Sequence, residues 1–355
     1  MSLRIGVLGA SRIAESAIVA PAHELGHRLV AVGARDPQRA QAFADKYDVE
    51  RVLPSYDAVV NDAEVDVVYN PLANALHAPW NLAAVAAGKP VLTEKPFARN
   101  RIEAARVAEA AEKAGVPVVE GFHYLFHPAT RRALELAGGD TVGDITHVEV
   151  RMAMPEPAAG DPRWSLELAG GALMDLGCYG LHVMRQLGHP SVVRAHAKEH
   201  SPGIDAWCDV ELGFPSGATG LSTNSMVADD YSFTIQIIGT KGDVKVHNFI
   251  KPHEDDRVSI RTPAGTEVEH LGTRTSYSYQ LEAFAAHTSC MAHHCQSTSL
   301  TRWRTWPMWT PGTGRPGWNP ARGVDCSRAP RRSPDARMPK PPRHDLSHEV
   351  SSARA

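Results

Sequence analysis

From residue 3 to about 121 the chain alternates short apolar runs with longer segments whose apolar positions recur at helical spacing, the pattern of βαβ units around a parallel sheet. The apolar runs predict buried strands at residues 4–8, 29–34, 65–70, 91–94 and 116–121, with a weaker one at 51–53. Alanine-rich segments between them predict helices, among them 37–47 and 101–114, the first with Pro37 one position inside an Asp36 cap. This half reads as a doubly wound α/β domain.

After about residue 140 the period changes. Strict alternation over 146–154 and 232–238, where Phe233, Ile235 and Ile237 share one face, predicts a half-buried antiparallel sheet. Further strands fit 192–198, 208–214, 220–225 and 244–249, joined by turns such as Thr240-Lys241-Gly242-Asp243. Helical patterning interrupts this half at 171–187 and 279–287. The second domain is therefore α+β with a mainly antiparallel sheet, and the boundaries fall at 1–122, 123–289 and 290–355.

Neither period survives past about residue 289. Residues 301–355 hold nine prolines, four of the chain's seven tryptophans, and only Val324, Leu346 and Val350 from the Leu/Ile/Val/Phe set. Such a segment cannot offset its ordering entropy, so a disordered Pro/Arg-rich tail is expected. It reads either as a basic tail for an acidic partner or as GC-rich coding DNA translated in the wrong frame, which yields Arg, Pro, Trp and Thr without aliphatics.

Composition narrows the class. At about 150 residues per domain, 355 residues suffice for two domains with a cleft between them. Hydrophobic residues at 43% and charged residues at 22% are ordinary for a soluble protein, and no apolar run of about 18 residues exists to span a bilayer. The first apolar run is interrupted by glycines and Arg12, unlike a signal peptide, so a cytoplasmic location is the default expectation. Residues 301–355 carry 11 Lys+Arg against 4 Asp+Glu, leaving 26 against 36 for residues 1–300. That acidic body argues against nucleic acid as a partner. Five scattered cysteines, Cys178, Cys208, Cys290, Cys295 and Cys326, with no C-x-x-C spacing, suggest reduced thiols. Cys290, His293, His294 and Cys295 look superficially like metal ligands, but they fall in the aberrant segment, and no metal is predicted.

Directly after the first strand, Gly9-Ala10-Ser11-Arg12-Ile13-Ala14 stands where a G-x-G-x-x-G turn would aim backbone N–H groups and a helix dipole at a pyrophosphate. Gly9, Ser11, Arg12 and Ile13 are the candidate contacts. The second strand ends Val32-Gly33-Ala34-Arg35-Asp36. Its tip carries Arg35 where an NAD site places a carboxylate for the ribose, and a guanidinium suits a 2′-phosphate. NADP is therefore the expected cofactor, with Asp36 as the argument for NAD.

Three ordered motifs carry a resemblance: Tyr69-Asn70-Pro71-Leu72-Ala73-Asn74-Ala75-Leu76-His77, Ala87-Gly88-Lys89-Pro90-Val91-Leu92-Thr93-Glu94-Lys95-Pro96 and Gly170-Gly171-Ala172-Leu173-Met174-Asp175-Leu176-Gly177-Cys178-Tyr179. Over residues 3 to about 289 the chain resembles the Gfo/Idh/MocA oxidoreductases, and the tyrosine of the third motif is similar to their glucose–fructose oxidoreductase and dihydrodiol dehydrogenase branch. The resemblance implies a Rossmann domain, a C-terminal sheet domain used for dimers or higher homo-oligomers, and NAD(P)-dependent redox chemistry on a sugar, polyol or diol. It also implies that Asn74 and His77 lie near the nicotinamide ribose and that Glu94-Lys95-Pro96 lines the site.

Dehydrogenation of an alcohol needs a base for the hydroxyl proton while hydride leaves carbon. Tyr179 is the candidate. On a helix Asp175, Tyr179 and His182 form one polar stripe, and Gly177 and Gly180 beside them would admit a ligand to the backbone. Since an unperturbed phenol is a poor base at neutral pH, Lys95 is expected to favour the phenolate, with Glu94 holding the ammonium. His123, Arg163, Asp175 and His182 are the candidate substrate contacts, Trp164 a packing residue. Relatives often carry Met and Arg where this chain has His123 and Leu125, which removes an expected anion contact. Two other readings stay open: a nucleotide-binding sensor without catalysis, and a frameshifted product of low stability.

Overall fold

The computed structural model describes residues 2–292, with side chains through Ser289. Of the tail expected over 290–355, residues 290–292 continue the last helix, and the rest, with His293, His294, Cys295 and Cys326, lies outside them, as does the Cys290 side chain.

The first half forms the expected all-parallel sheet from β1 (Arg4–Leu8), β2 (Arg28–Gly33), β3 (Val52–Leu53), β4 (Val67–Asn70), β5 (Val91–Thr93) and β6 (Val118–Glu120). Their order is β3-β2-β1-β4-β5-β6, so the chain reverses direction of travel beside β1 and opens a crevice at the carboxyl ends of β1 and β4. Apolar runs with no polar alternation are what such a sheet requires, because helices cover both of its faces. Ile5, Val7 and Leu8 are accordingly inaccessible to solvent.

The helices are α1 (Ala20–Glu24), continuing a π-helical turn at Glu15–Val19, then α2 (Pro37–Tyr47), α3 (Tyr56–Asn61), α4 (His77–Ala86) and α5 (Arg101–Ala114). The Asp36 carboxylate caps α2 as expected, accepting from the N–H groups of Gln38 and Arg39.

The second half is an eight-stranded sheet of β7 (Ile145–Ala153), β8 (Ser191–Ser201), β9 (Ile204–Gly213), β10 (Thr219–Ser225), β11 (Ser232–Gly239), β12 (Asp243–Val246), β13 (Arg257–Thr262) and β14 (Gly265–His270), in the order β14-β13-β12-β11-β7-β10-β9-β8. Every pairing is antiparallel except β7 with β10. Val148, Val150, Met152, Val210, Leu212, Phe233, Ile235 and Ile237 turn inward, under α6 (Pro128–Ala137) and α7 (Cys178–Gln186). His147, Glu149, Arg151, Trp207 and Asp209 alternate with them onto the opposite face, which nothing among the described residues covers. The hairpin of β13 and β14 was not among the expected strands: β14 exposes all but one of its residues and carries only one apolar side chain, Val268, whereas β13 does alternate, with Val258 and Ile260 buried.

Although α8 (Ser276–Ala292) follows the second sheet in sequence, it returns to the first. Tyr277, Leu281 and Phe284 enter the core formed by Ile5, Val7, Leu29, Val32 and Tyr69. Ser278 and Arg274 secure it by hydrogen bonds to Glu24 of α1.

Gly180 of α7 has a role other than the expected one. A Cβ on it would stand 2.0 Å from the Ser222 Oγ on β10, whereas one on Gly177, just before α7, would meet Leu173 of its own turn at 2.7 Å and Asn224 only at an ordinary 3.4 Å. Gly180 admits the strand, not a ligand, and the close approach fixes where α7 lies. Gly180→Ala should therefore destabilise the fold by about 1–3 kcal/mol, since Ser222 is buried and already bonded to Asn224. Urea denaturation checks this, and adding Ser222→Ala, which removes the nearest atom, should recover part of the loss.

Candidate active site

The turn after β1 is shaped for an anion. Gly9 adopts φ +84°, its N–H donates to the Gly33 carbonyl at 2.7 Å, and a side chain there would meet Leu72. The Ser11 hydroxyl is buried in this turn with no hydrogen-bond partner. An orphaned donor at the start of a helix, where backbone N–H groups also gather, fits a phosphate oxygen. Arg12 is 90% exposed and reaches Asp161 of the second half at 3.4 Å, while Ile13 is partly exposed beside it.

At the tip of β2 Arg35 is exposed and makes no ion pair among the described residues. The Asp36 Oδ1 is engaged with the N-terminus of α2. Arg39, which the sequence reading did not single out, donates to the Ala10 carbonyl at 2.9 Å and brings a second guanidinium to the same turn. Its signal was the spacing from Arg35, one helical turn along the chain. This geometry suits NADP.

Across the crevice, Lys95 leaves the end of β5 and its ammonium donates to Asp175 twice, to the backbone carbonyl at 2.7 Å and to Oδ1 at 2.9 Å. The other Asp175 oxygen accepts from Arg163 Nε at 2.8 Å, and Arg163 also contacts Asp161 at 3.2 Å. The two cations hold the buried Asp175 carboxyl down to about 2 despite its desolvation. One of the three N–H bonds of Lys95 has no partner among the described residues.

Glu94 was expected to hold that ammonium. It instead accepts from the Tyr69 hydroxyl at 3.0 Å, and its burial pushes the carboxyl up. Asp175 is the partner of Lys95. Glu120, at the end of β6, is likewise pushed up by burial, to about 7, and accepts from the Phe97 N–H at 2.7 Å.

Tyr179, in the first turn of α7, is 5% exposed and packs edge-on against Phe122 and Phe249. The Lys95 ammonium lies over the face of its ring, 5.0 Å from the centroid. Burial pushes the phenol well above its ordinary range, which disfavours the phenolate expected beside a lysine, and the ammonium itself is bonded to Asp175.

The remaining candidates divide. Asn74 donates to the Ala169 carbonyl at 2.8 Å and joins the two halves at the crevice. His77 is fully buried with its ring nitrogens against the carbonyls of Pro96 and Leu72, at 2.6 and 2.8 Å, so it braces the loop and is not free for a ribose. His182 stacks on Phe122 at 3.8 Å and bonds the Tyr124 hydroxyl at 3.0 Å, which turns it into the core and away from a substrate. Arg163 faces Asp175 and Asp161, and Trp164 stacks on His200. His123 is buried behind Tyr179, with Nε2 3.4 Å from the phenol oxygen. Leu125 is a core residue.

Residues 3–122 match the model of an oxidoreductase family with an NAD-binding Rossmann fold, and residues 130–245 match the GFO/IDH/MocA C-terminal domain. The chain is 32% identical over 287 residues to D-xylose 1-dehydrogenase (NADP(+)) 2 of Haloferax volcanii, covering 80% of this chain and 88% of that protein. It is 31% identical over 262 residues to the trans-1,2-dihydrobenzene-1,2-diol dehydrogenase of Mus musculus, covering 72% and 77%. A 3-ketoreductase from Actinomadura kijaniata in complex with NADP and TDP-benzene superposes with a TM-score of 0.77 at 25% identity, over 86% of this chain and 94% of its own.

Because the folded-state value of Asp175 is depressed, its stabilisation is complete above the ordinary carboxylate range and disappears as pH falls from about 4 towards 2. Asp175→Asn should cost about 2–3 kcal/mol at neutral pH by leaving buried Lys95 without its carboxylate. Urea denaturation across that range should show the gap between parent and variant narrowing as pH drops.

Proposed function

The chain belongs to the GFO/IDH/MocA oxidoreductase family, and from that membership we propose a reaction in which Tyr179 exchanges the hydroxyl proton of a sugar, polyol or dihydrodiol and Lys95 orients the reacting oxygen. The protein is an NAD(P)-dependent oxidoreductase of CH–OH groups, with NADP as its cofactor. The observation that carries the residue assignment is the convergence of Tyr179 and Lys95, from opposite halves of the fold, at the carboxyl edge of the first sheet.

Bound NADP supplies the hydride acceptor for oxidation and, reduced, the donor for reduction. The protein's own part is positional and protonic. The phosphate turn with Ser11 and Arg12 holds the dinucleotide, and Arg35 with Arg39 takes the 2′-phosphate. The remaining N–H of Lys95 points the substrate oxygen at Tyr179. In reduction the protonated phenol donates to the oxygen of the carbonyl as hydride reaches its carbon, and the phenolate left behind regains a proton from solvent. In oxidation the same oxygen accepts the hydroxyl proton. Position 125 carries leucine and the Arg163 guanidinium is held between two aspartates, so neither supplies a cation for an anionic substrate group, which supports a neutral polyhydroxy substrate.

The uncovered face of the second sheet supports a homodimer through it. Free thiols at Cys178 and Cys208 support a cytoplasmic enzyme. Among the described residues no helix is long and apolar enough to cross a membrane.

Tyr179→Phe should lower turnover by about 10²–10⁴ while leaving NADP affinity unchanged. A fluorescence titration and a panel of aldoses and cyclic diols check this, and undiminished turnover would overturn the assignment. Arg35→Ala should weaken NADP binding about tenfold and leave NAD binding alone. Equal losses for both would refute a 2′-phosphate contact.

A further inference from the structure

His123 is fully buried and packs its ring on Tyr277 at 3.9 Å between centroids. Its Nδ1 lies 2.8 Å from the Ser276 Oγ at the start of α8, and its Nε2 lies 3.4 Å from the Tyr179 oxygen. Ser276 is also fully buried, and its hydroxyl has no other partner among the described residues. A buried hydroxyl proton without an acceptor costs about 1–3 kcal/mol; of the two hydroxyls at this ring, Tyr179 has the substrate oxygen as an acceptor in the reaction proposed above and Ser276 has Nδ1 alone, so Ser276 donates to Nδ1. The single proton of a neutral ring then belongs on Nε2, facing Tyr179. Burial holds the ring neutral, with its pKa down to about 3.

We propose that His123, fixed in this tautomer by Ser276, donates a hydrogen bond to the Tyr179 oxygen and so orients the phenol and stabilises its phenolate. His123 is thus a positioning residue acting through Tyr179, and not the substrate contact expected from the sequence. The proposal rests on the reading of Tyr179 as the proton-exchanging group. No proton passes to the imidazole: in oxidation the substrate proton goes to the phenolate oxygen while the Nε2 proton stays in place. The contact tightens when that oxygen is charged, because hydrogen bonds to an ionised acceptor are shorter and stronger.

Other groups facing Tyr179 are Lys95, Asp175, Glu94, Cys178 and Tyr277. Those facing His123 are Lys95, His127 and His253. Lys95 also favours the phenolate, but it is shared with Asp175 and with the substrate oxygen. Among the described residues the imidazole N–H has Tyr179 alone.

The test is the pH profile of kcat/KM for polyol oxidation by the full chain, in which the rising limb reports deprotonation of Tyr179. His123→Met should move that limb upward by about one pH unit, a tenfold loss at any pH along it. His123→Gln, which restores an N–H near the Nε2 position, should recover most of the shift. Ser276→Ala should shift the limb in the same direction without removing any group that touches Tyr179, because Nδ1 becomes free to hold the ring proton. An unmoved limb in Ser276→Ala and in whichever His123 variant folds would overturn the proposal. Its failure is separable from that of the underlying reading: if Tyr179→Phe is inactive and these profiles are unmoved, only the role of His123 falls. If Tyr179→Phe remains active, the reading of Tyr179 itself falls.

Discussion

A buried ammonium has to be paired, and that requirement organises the crevice between the two sheets. Lys95 stands at the end of a strand with almost no access to water, and its partner Asp175 comes from the other half of the fold. Asp175 in turn engages Arg163, Arg163 engages Asp161, and Asp161 reaches Arg12 on the phosphate turn. The series alternates in sign from the floor of the site to its rim. Lys95, Asp175 and Asp161 are well shielded from solvent, Arg163 less so at 37% exposure, and removing Asp175 leaves the Lys95 ammonium as an uncompensated charge. The outermost pair, with an exposed Arg12, contributes little to stability and leaves that guanidinium free to turn to a ligand phosphate.

Two packing devices bring Tyr179 to this ammonium. Gly180 lets α7 lie against β10 more closely than a side chain there would allow, which sets the height of the helix over the sheet. The return of α8 to the first core carries Ser276 and Tyr277 behind His123, so the rear wall of the site comes from a third, distant stretch of chain. Residues 95, 123, 179 and 276 become neighbours only when both sheets and α8 are assembled. The site therefore depends on the integrity of the whole described chain.

Periodicity made most of the architecture legible. The strands of the first sheet are continuous apolar runs and those of the second alternate, because one sheet is covered on both faces and the other on one. Where neither pattern was present, as in β14, the strand was missed. Motif spacing located Tyr179, Lys95 and Asp175 in one neighbourhood, but it could not say which carboxylate takes the ammonium. Glu94 is adjacent in sequence, yet its side chain turns to Tyr69. The same limit explains His77 and His182, whose ring nitrogens are engaged by partners that sequence position does not reveal. Ser276 carried no signal at all, since its importance arises from a partner 153 residues away.

The protonation state of Tyr179 follows from burial, and it inverts the expectation that a neighbouring lysine makes a phenolate. Desolvation acts on the phenol directly, whereas the Lys95 ammonium lies over the face of the ring and is bonded to the Asp175 carboxylate. The resting tyrosine is consequently an acid. An acid in that place is ready to donate to a carbonyl oxygen without a preceding ionisation, whereas oxidation first requires the phenol to lose its proton inside an apolar cage of Phe122, Tyr124 and Phe249. A hydrogen-bond donor behind the oxygen would help with that second task alone. The value of a histidine at position 123 is then greatest in the oxidising direction, where the cage by itself opposes the charge that the chemistry needs.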